Sequence, residues 1–245
     1  MRTDERTDVP AALWLWAPLL WLPFQFGVAA ITREGHQTVF SGEFGIVEVL
    51  TAALLWPAAY WAVRAARPFF AERQRTPAVL LCVFAFGCVF LFAEEVSYGQ
   101  HLFAWGTPDY FAENNAQLET NLHNLDYVNK SVPKWIVIAG MTMGAIVLPL
   151  MRRRGRVPRW TQAAWVRPLL PTIACLPTAA VALAAHLAVK VVAKGAGFRF
   201  EDVSGVRLSE TVELYIAFFF ALYAYEVYRA QRVGMAEGRR REAVA

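Results

Sequence analysis

Six apolar segments, each close to the ~20 residues with which a helix crosses a bilayer, constrain this chain more than anything else in it. They fall at roughly 13–31, 44–63, 77–98, 135–151, 169–189 and 210–228. Hydrocarbon offers the backbone no hydrogen-bond partners, so each segment must satisfy its own amides and carbonyls as a helix. Composition agrees, since 57% of the residues are hydrophobic and 18% charged, too apolar a mixture for a soluble domain. Too little sequence is left between the segments for a separate globular unit. The expectation is an all-α, polytopic integral membrane helix bundle: a single membrane domain over residues 1–245 with six transmembrane helices.

The first segment does not read as a cleavable signal. Its leader carries Asp4, Glu5 and Asp8 against Arg2 and Arg6, where a signal has a basic stretch, so it is expected to stay as a membrane helix. Orientation follows from the basic residues, which accumulate on cytoplasmic loops. Arg33, Lys130, Lys134, Lys190, Lys194, Arg199 and Arg207 lie on one side of the six spans, and the rest of the 24 Lys and Arg residues on the other. That bias places both termini in the cytoplasm of a multi-pass protein of the cell (plasma or inner) membrane. The net charge of +4 is then a topology signal. It implies no nucleic-acid partner, although basic loops would meet anionic lipid headgroups. Cys82, Cys88 and Cys175 fall within apolar segments and read as small buried hydrophobes.

Ionisable groups in hydrocarbon are costly, so those found there usually line a bundle interior or a water-filled cavity. Glu48, Glu94, Glu95, His186 and Glu213 come from four segments, yet topology places all of them near the outer end. On a continuous helix Glu94, Ser97, Tyr98 and His101 form one polar ridge, with Glu95 turned ~100° away. Glu213, just after Ser209, reads as a helix-start acid. Glu226, among Tyr223, Tyr225 and Tyr228 at the other face, reads as interfacial-belt chemistry.

The longest connection, between spans three and four, is expected to hold an amphipathic outer-face helix within residues 107–130. Thr107-Pro108-Asp109 is a helix-start signal. Leu118, Leu122 and Leu125 then follow one apolar stripe, while Asn115, Glu119, His123 and Asp126 fall within about 80° of one another at ~100° per residue. Such a helix would lie on the outer surface with one face toward the bundle.

The strings Glu94-Glu95-Val96-Ser97-Tyr98-Gly99-Gln100 and Asn115-Ala116-Gln117-Leu118-Glu119-Thr120-Asn121-Leu122-His123-Asn124 resemble a motif pair of an uncharacterised family of bacterial polytopic membrane proteins. The general form is E-E-[IV]-S-[WY]-G-Q followed by N-x-Q-x-E-x-N-L-H-N. The resemblance covers residues 93–125 and implies a site there without implying an activity. Ser97-x-x-x-His101 is also similar to the first motif of the alkaline ceramidase and adiponectin-receptor group, whose later H-x-x-x-H is missing. Glu94-Glu95 is similar to the opening of the CAAX-protease motif, but Gly99 stands in place of its Arg.

These residues assemble into an expected site. Glu94, Glu95, Glu119 and His123 are its candidate catalytic groups, and Ser97, Tyr98, Gln100, Asn115, Asn121 and Asn124 its candidate substrate contacts. His123, His186 and Glu94 are candidate ligands for a divalent metal such as Zn, which would supply a hydrolytic water at neutral pH. The expected function is an enzyme that hydrolyses or modifies a lipid or lipid-linked substrate at the outer face. A transporter or proton-coupled carrier, and a non-catalytic subunit that docks a protein partner or a second copy, are the alternatives.

Overall fold

The computed structural model describes residues 7–40, 45–115, 118–122, 125, 131–156, 158–163 and 165–242. A π turn (Ala12–Trp16) leads into α1 (Ala17–Ile31), followed by α2 (Arg33–Phe40), α3 (Ile46–Ala71) and α4 (Arg75–Glu95). The short α5 (Gln100–Phe103) and α6 (Asp109–Asn114) precede α7 (Ser131–Thr142), which passes through a π turn into α8 (Leu148–Arg153). A series of 3-10 turns then leads to α9 (Leu176–Leu187), α10 (Lys194–Ala196), α11 (Phe200–Ser204) and α12 (Leu208–Glu242).

Five stretches are long and apolar enough to cross a membrane: Ala12–Ile31, Ile46–Ala71, Arg75–Glu95, Val132–Arg153 and Arg167–Val191. The sixth expected span lies within α12, a longer helix whose glutamates at 210, 213 and 226 dilute its apolar run. Outward-facing residues such as Trp56, Val83 and Phe86 are 61%, 62% and 72% exposed. An apolar surface of this extent needs a covering phase, and lipid supplies one.

The hub is α3, which packs on both α4 and α12. Its inner face is a seam of alanines, of which Ala58, Ala62 and Ala65 are completely buried. Small side chains let helix axes approach closely, which is how helices associate where the surrounding solvent is itself apolar. Buried Val212, Tyr215, Phe219 and Leu222 of α12 meet α7 and α9, while Ala217 and Ala224 meet α3 and α4. A helix apolar on so many sides belongs in the middle of a bundle. Two polar contacts bind α1 to it: the Tyr215 hydroxyl donates to the Pro18 carbonyl (2.8 Å), and the Thr211 hydroxyl donates to Gln25 Oε1 (2.9 Å).

The two ends of the bundle differ. At the arginine-rich end Glu226 is only 1% exposed, which corrects the interfacial-belt reading. Its oxygens accept from the Thr7 hydroxyl (2.6 Å) and from Arg229 (3.0 Å), and Arg229 also reaches Asp8 (3.3 Å). Glu226 therefore anchors the chain's leading segment. A carboxylate buried there is tolerated because it is paired and hydrogen-bonded. At the other end α2 and α11 lie over the bundle, with Arg33 donating to the carbonyls of Glu201 (2.9 Å) and Asp202 (2.6 Å) near the end of α11. That cation complements the helix dipole.

The alanine seam sets a testable limit. Ala62→Leu puts three extra carbons where nothing can move aside, and overpacking of this kind costs about 1–3 kcal/mol. Thermal unfolding in detergent should fall accordingly, while Val63→Leu, on the exposed side of α3, should leave it unchanged.

Candidate functional site

Glu94 and Glu95 end α4, and here the backbone does something the sequence conceals. Ser97, Tyr98 and Gly99 all take positive φ, at 44°, 53° and 87°. Left-handed backbone costs roughly 1–2 kcal/mol per residue that has a Cβ. Such strain survives only where the surroundings over-determine it. The turn breaks the expected continuous ridge. Ser97 goes inward, 2% exposed, while Tyr98 stays 44% exposed with its phenol near the Glu94 carboxylate.

The over-determination comes from the second motif. Glu94 Oε2 accepts the Leu122 backbone N–H (2.9 Å). Gln100 Oε1 accepts the Thr120 N–H (2.6 Å), and its Nε2 donates to the Thr107 hydroxyl (2.8 Å) and the Leu118 carbonyl (3.2 Å). Thr107 itself donates to the Leu118 carbonyl. Asn121 donates to Ser97 Oγ (3.2 Å) and Glu119 Oε2 (2.6 Å), and Asn115 donates to Asn121 Oδ1 (3.1 Å) and the Glu119 carbonyl (2.7 Å). The two motifs singled out in the sequence are each other's hydrogen-bond partners.

This knot replaces the expected amphipathic helix. Among the described residues of this connection only Asp109–Asn114 is helical, and Asn115 pairs with Leu125 in an antiparallel bridge. The described residues between them are not helical, and Leu118 has φ 56°. The physical reason is competition: backbone groups that a helix would pair internally are taken by Gln100, Glu94 and Asn115, as amide side chains readily do. The leucine stripe is lost with the helix, since Leu125 is 1% exposed while Leu118 and Leu122 are 58% and 43% exposed. His123, Asn124 and Asp126 lie outside the described residues, and of His101 only the backbone is described.

A second group lies at the same end. Glu95, turned away from Glu94 as its helix position requires, is within electrostatic reach of Glu48, Glu210, Glu213 and Lys134. Lys134 Nζ is 2.6 Å from Glu213, so that acid is an ion-pair member, and the helix-start position expected for it belongs to Glu210, in the first turn of α12. Arg207 is 2.9 Å from Glu210 and also feels Glu48. Four carboxylates from α3, α4 and α12 thus meet two cations, Lys134 at the start of α7 and Arg207 just before α12. The sequence reading found Glu48, Glu95 and Glu213 and missed Lys134, Glu210 and Arg207. Their shared position at the ends of apolar segments was the available signal.

The metal expectation finds no support. Among the described residues no three His, Cys, Asp or Glu side chains are placed to share an ion. His186 is buried against Trp135, edge to face at 4.3 Å, with Lys134 and Lys190 as its charged neighbours. Cationic surroundings oppose a cation. His36, a histidine the sequence reading passed over, is wholly buried and stacked on Phe40 at 4.8 Å. Burial pushes its imidazole below the ordinary range, with the Gly205 backbone drawing it partly back. Compared with protein-family models, curated proteins and solved structures, the chain matches none.

Removing the centre of the knot should free it without melting the bundle. Gln100→Ala abolishes three hydrogen bonds, at about 1–3 kcal/mol for each buried group left unsatisfied. Limited proteolysis of the purified variant should cut within residues 107–125 while its far-UV circular dichroism stays that of the parent. An uncut segment would show that the apolar contacts hold it unaided.

Proposed function

We propose that the chain is a six-span protein of the cell membrane, with α12 as its last span, both termini cytoplasmic and the motif end outward. There it takes a membrane lipid or lipid-linked substrate, on which the Glu95-centred cluster does acid–base work, hydrolysis or a related modification. The carrying observation is the meeting of Glu48, Glu95, Glu210 and Glu213 with Lys134 and Arg207 at one level of the bundle. Carboxylates gathered this closely oppose one another's ionisation, which favours a shared proton. Paired carboxylates in unlike surroundings are the usual means of holding an acid beside a base. In this reading Glu95 is the reacting group. Glu94, Ser97, Gln100, Asn115, Glu119 and Asn121 are positioning residues, because their polar atoms hold the roof beside it.

A lipid substrate is favoured by the rim. Phe103, Tyr110, Leu118 and Leu122 are 79%, 53%, 58% and 43% exposed beside the knot, and apolar and aromatic residues at that level suit the headgroup zone. Transport is less favoured, because between Glu213 and Glu226 the interior is filled by Tyr215, Ile216, Phe219 and Leu222. The same rigid knot with its apolar rim also supports a docking role toward a protein partner or a second copy. The motif pair fits the uncharacterised bacterial family it resembles under either reading.

Two measurements test this. Single cysteines at Thr76 or Arg156, in a background without the native three, should resist an impermeant thiol reagent on intact cells, and one at Ala196 should label. The opposite pattern would turn the site inward. Purified protein in lipid nanodiscs should convert some lipid or lipid-linked compound, detected by mass spectrometry. Glu95→Gln should lower that turnover at least a hundredfold with folding retained, whereas Glu72→Gln, far from the cluster, should not. If the parent protein converts nothing, the docking role stands in its place.

A further inference from the structure

The arginine-rich end holds a second group, separate from the anchor made by Glu226. Arg64 of α3 lies ~24 Å below Glu48, and Tyr228 of α12 lies ~22 Å below Glu213, at 1.5 Å per residue. Both therefore approach the far edge of a ~30 Å hydrocarbon core, where headgroups begin. Arg232 follows Tyr228 by one turn on the same face of α12, and α12 packs directly on α3.

The two arginines converge on one phenol. Arg64 Nη2 is 3.5 Å and Arg232 Nη1 is 3.4 Å from the Tyr228 hydroxyl. Both guanidiniums also lie over the Tyr228 ring, 5.6 and 5.9 Å from its centre. Tyr60 holds Arg64 as well: Nη1 donates to its hydroxyl (3.0 Å), and the guanidinium carbon lies 5.7 Å from its ring centre. The rings are themselves fixed by Trp61, which is 4.7 Å from Tyr60 and 4.8 Å from Tyr228.

The neighbouring Arg229 is different, because its partners Glu226 and Asp8 are acids. The hydroxyls and ring faces that hold Arg64 and Arg232 are neutral. They orient each guanidinium and leave its charge in place. Two cations side by side repel one another, and an anion beside both relieves that repulsion. Donors remain for such an anion. A guanidinium carries five N–H groups, and a phenol that accepts hydrogen bonds still has its own proton to give. The bias of basic residues toward the cytoplasmic side accounts for arginines at this end. It does not account for two of them posed on one tyrosine.

We propose that Arg64, Arg232 and Tyr228 form a binding site for the phosphate of an anionic glycerophospholipid in the leaflet at the arginine-rich end. Guanidinium forks match pairs of phosphate oxygens, and the phenol adds a further donor. The surface above the site favours a lipid over a soluble phosphate compound. Trp56 and Tyr60 precede Arg64 by two turns and one turn on the same side of α3, and they are 61% and 47% exposed. They offer a lipid-facing strip for the acyl chains while the phosphate stays at the charges. A net negative headgroup is preferred, because a choline or ethanolamine group brings an ammonium toward two cations. The site lies at the opposite end from the Glu95 cluster and is independent of it.

The test titrates phosphatidylglycerol, or phosphatidylcholine with the same chains, into full-length protein in detergent and counts retained lipid by native mass spectrometry. The first phosphatidylglycerol should bind at least tenfold more tightly than phosphatidylcholine. Arg64→Gln and Arg232→Gln should each weaken it at least tenfold. Tyr228→Phe keeps the ring against Trp61 and loses only the hydroxyl, so it should weaken binding at least threefold with folding intact. The double variant Arg152→Gln with Arg153→Gln removes two exposed charges at the same end, and should leave that first site within twofold of the parent.

Equal binding of phosphatidylcholine would overturn the preference for an anionic headgroup. A loss in the Arg152 and Arg153 double variant as large as in the site variants would show diffuse surface charge and overturn the site. Release of the lipid by millimolar inorganic phosphate would mark a pocket for soluble phosphate and overturn the lipid assignment. Should Arg64→Gln fail to fold, Arg232→Gln, at an exposed position, and Tyr228→Phe decide the matter. Parental affinity in both of these would overturn the proposal.

Discussion

The contact on which the rest of the structure depends is the alanine seam of α3. In hydrocarbon there is no hydrophobic drive to press helices together, so close van der Waals packing must do it. Ala58, Ala62 and Ala65 leave no gap between α3 and its neighbours. That closeness fixes more than stability. It brings the start of α3, the end of α4 and the start of α12 together at one level, so that Glu48, Glu95, Glu210 and Glu213 become a group. A wider helix separation would leave four isolated acids at the membrane surface.

On this frame the residues 94–122 form a roof held by side-chain to backbone hydrogen bonds. Gln100 uses both its carbonyl and its amide, and Asn121 ties the loop to Ser97. The left-handed turn at Ser97-Tyr98-Gly99 is what turns Ser97 inward toward that loop. Strain at the turn and hydrogen bonds in the roof are thus two sides of one arrangement. It leaves Glu94 committed to the Leu122 amide and Glu95 to the cluster below. Adjacent glutamates end in different environments because one helix step separates them by ~100°.

The polar groups of the described interior concentrate at the two ends, and the middle is packed with apolar side chains. The arginine-rich end uses its buried acid, Glu226, to hold Thr7 and Arg229, which is a structural task. The motif end gathers Glu48, Glu95, Glu210 and Glu213 with Lys134 and Arg207, and has an apolar crevice beneath and exposed Phe103 and Leu118 beside it. That contrast between the two ends gives the proposed function its direction.

The sequence by itself determined the helical membrane character, because runs of apolar residues have one backbone solution in lipid. It also marked the two motifs and the common level of Glu48, Glu95 and Glu213, since depth along a helix is a matter of counting. It located the helix start at Asp109 but carried the helix past Asn114 through described residues that are not helical, because the leucine spacing is visible locally while the partners that unmake the helix, Gln100 and Glu94, lie more than a dozen residues away. Only the tertiary structure decided that Glu226 is buried, that Lys134 and Arg207 face the acids, and that His186 meets Trp135. Each of these depends on which faces of distant helices meet. That is settled by the packing of small side chains over the whole bundle, and no local pattern encodes it.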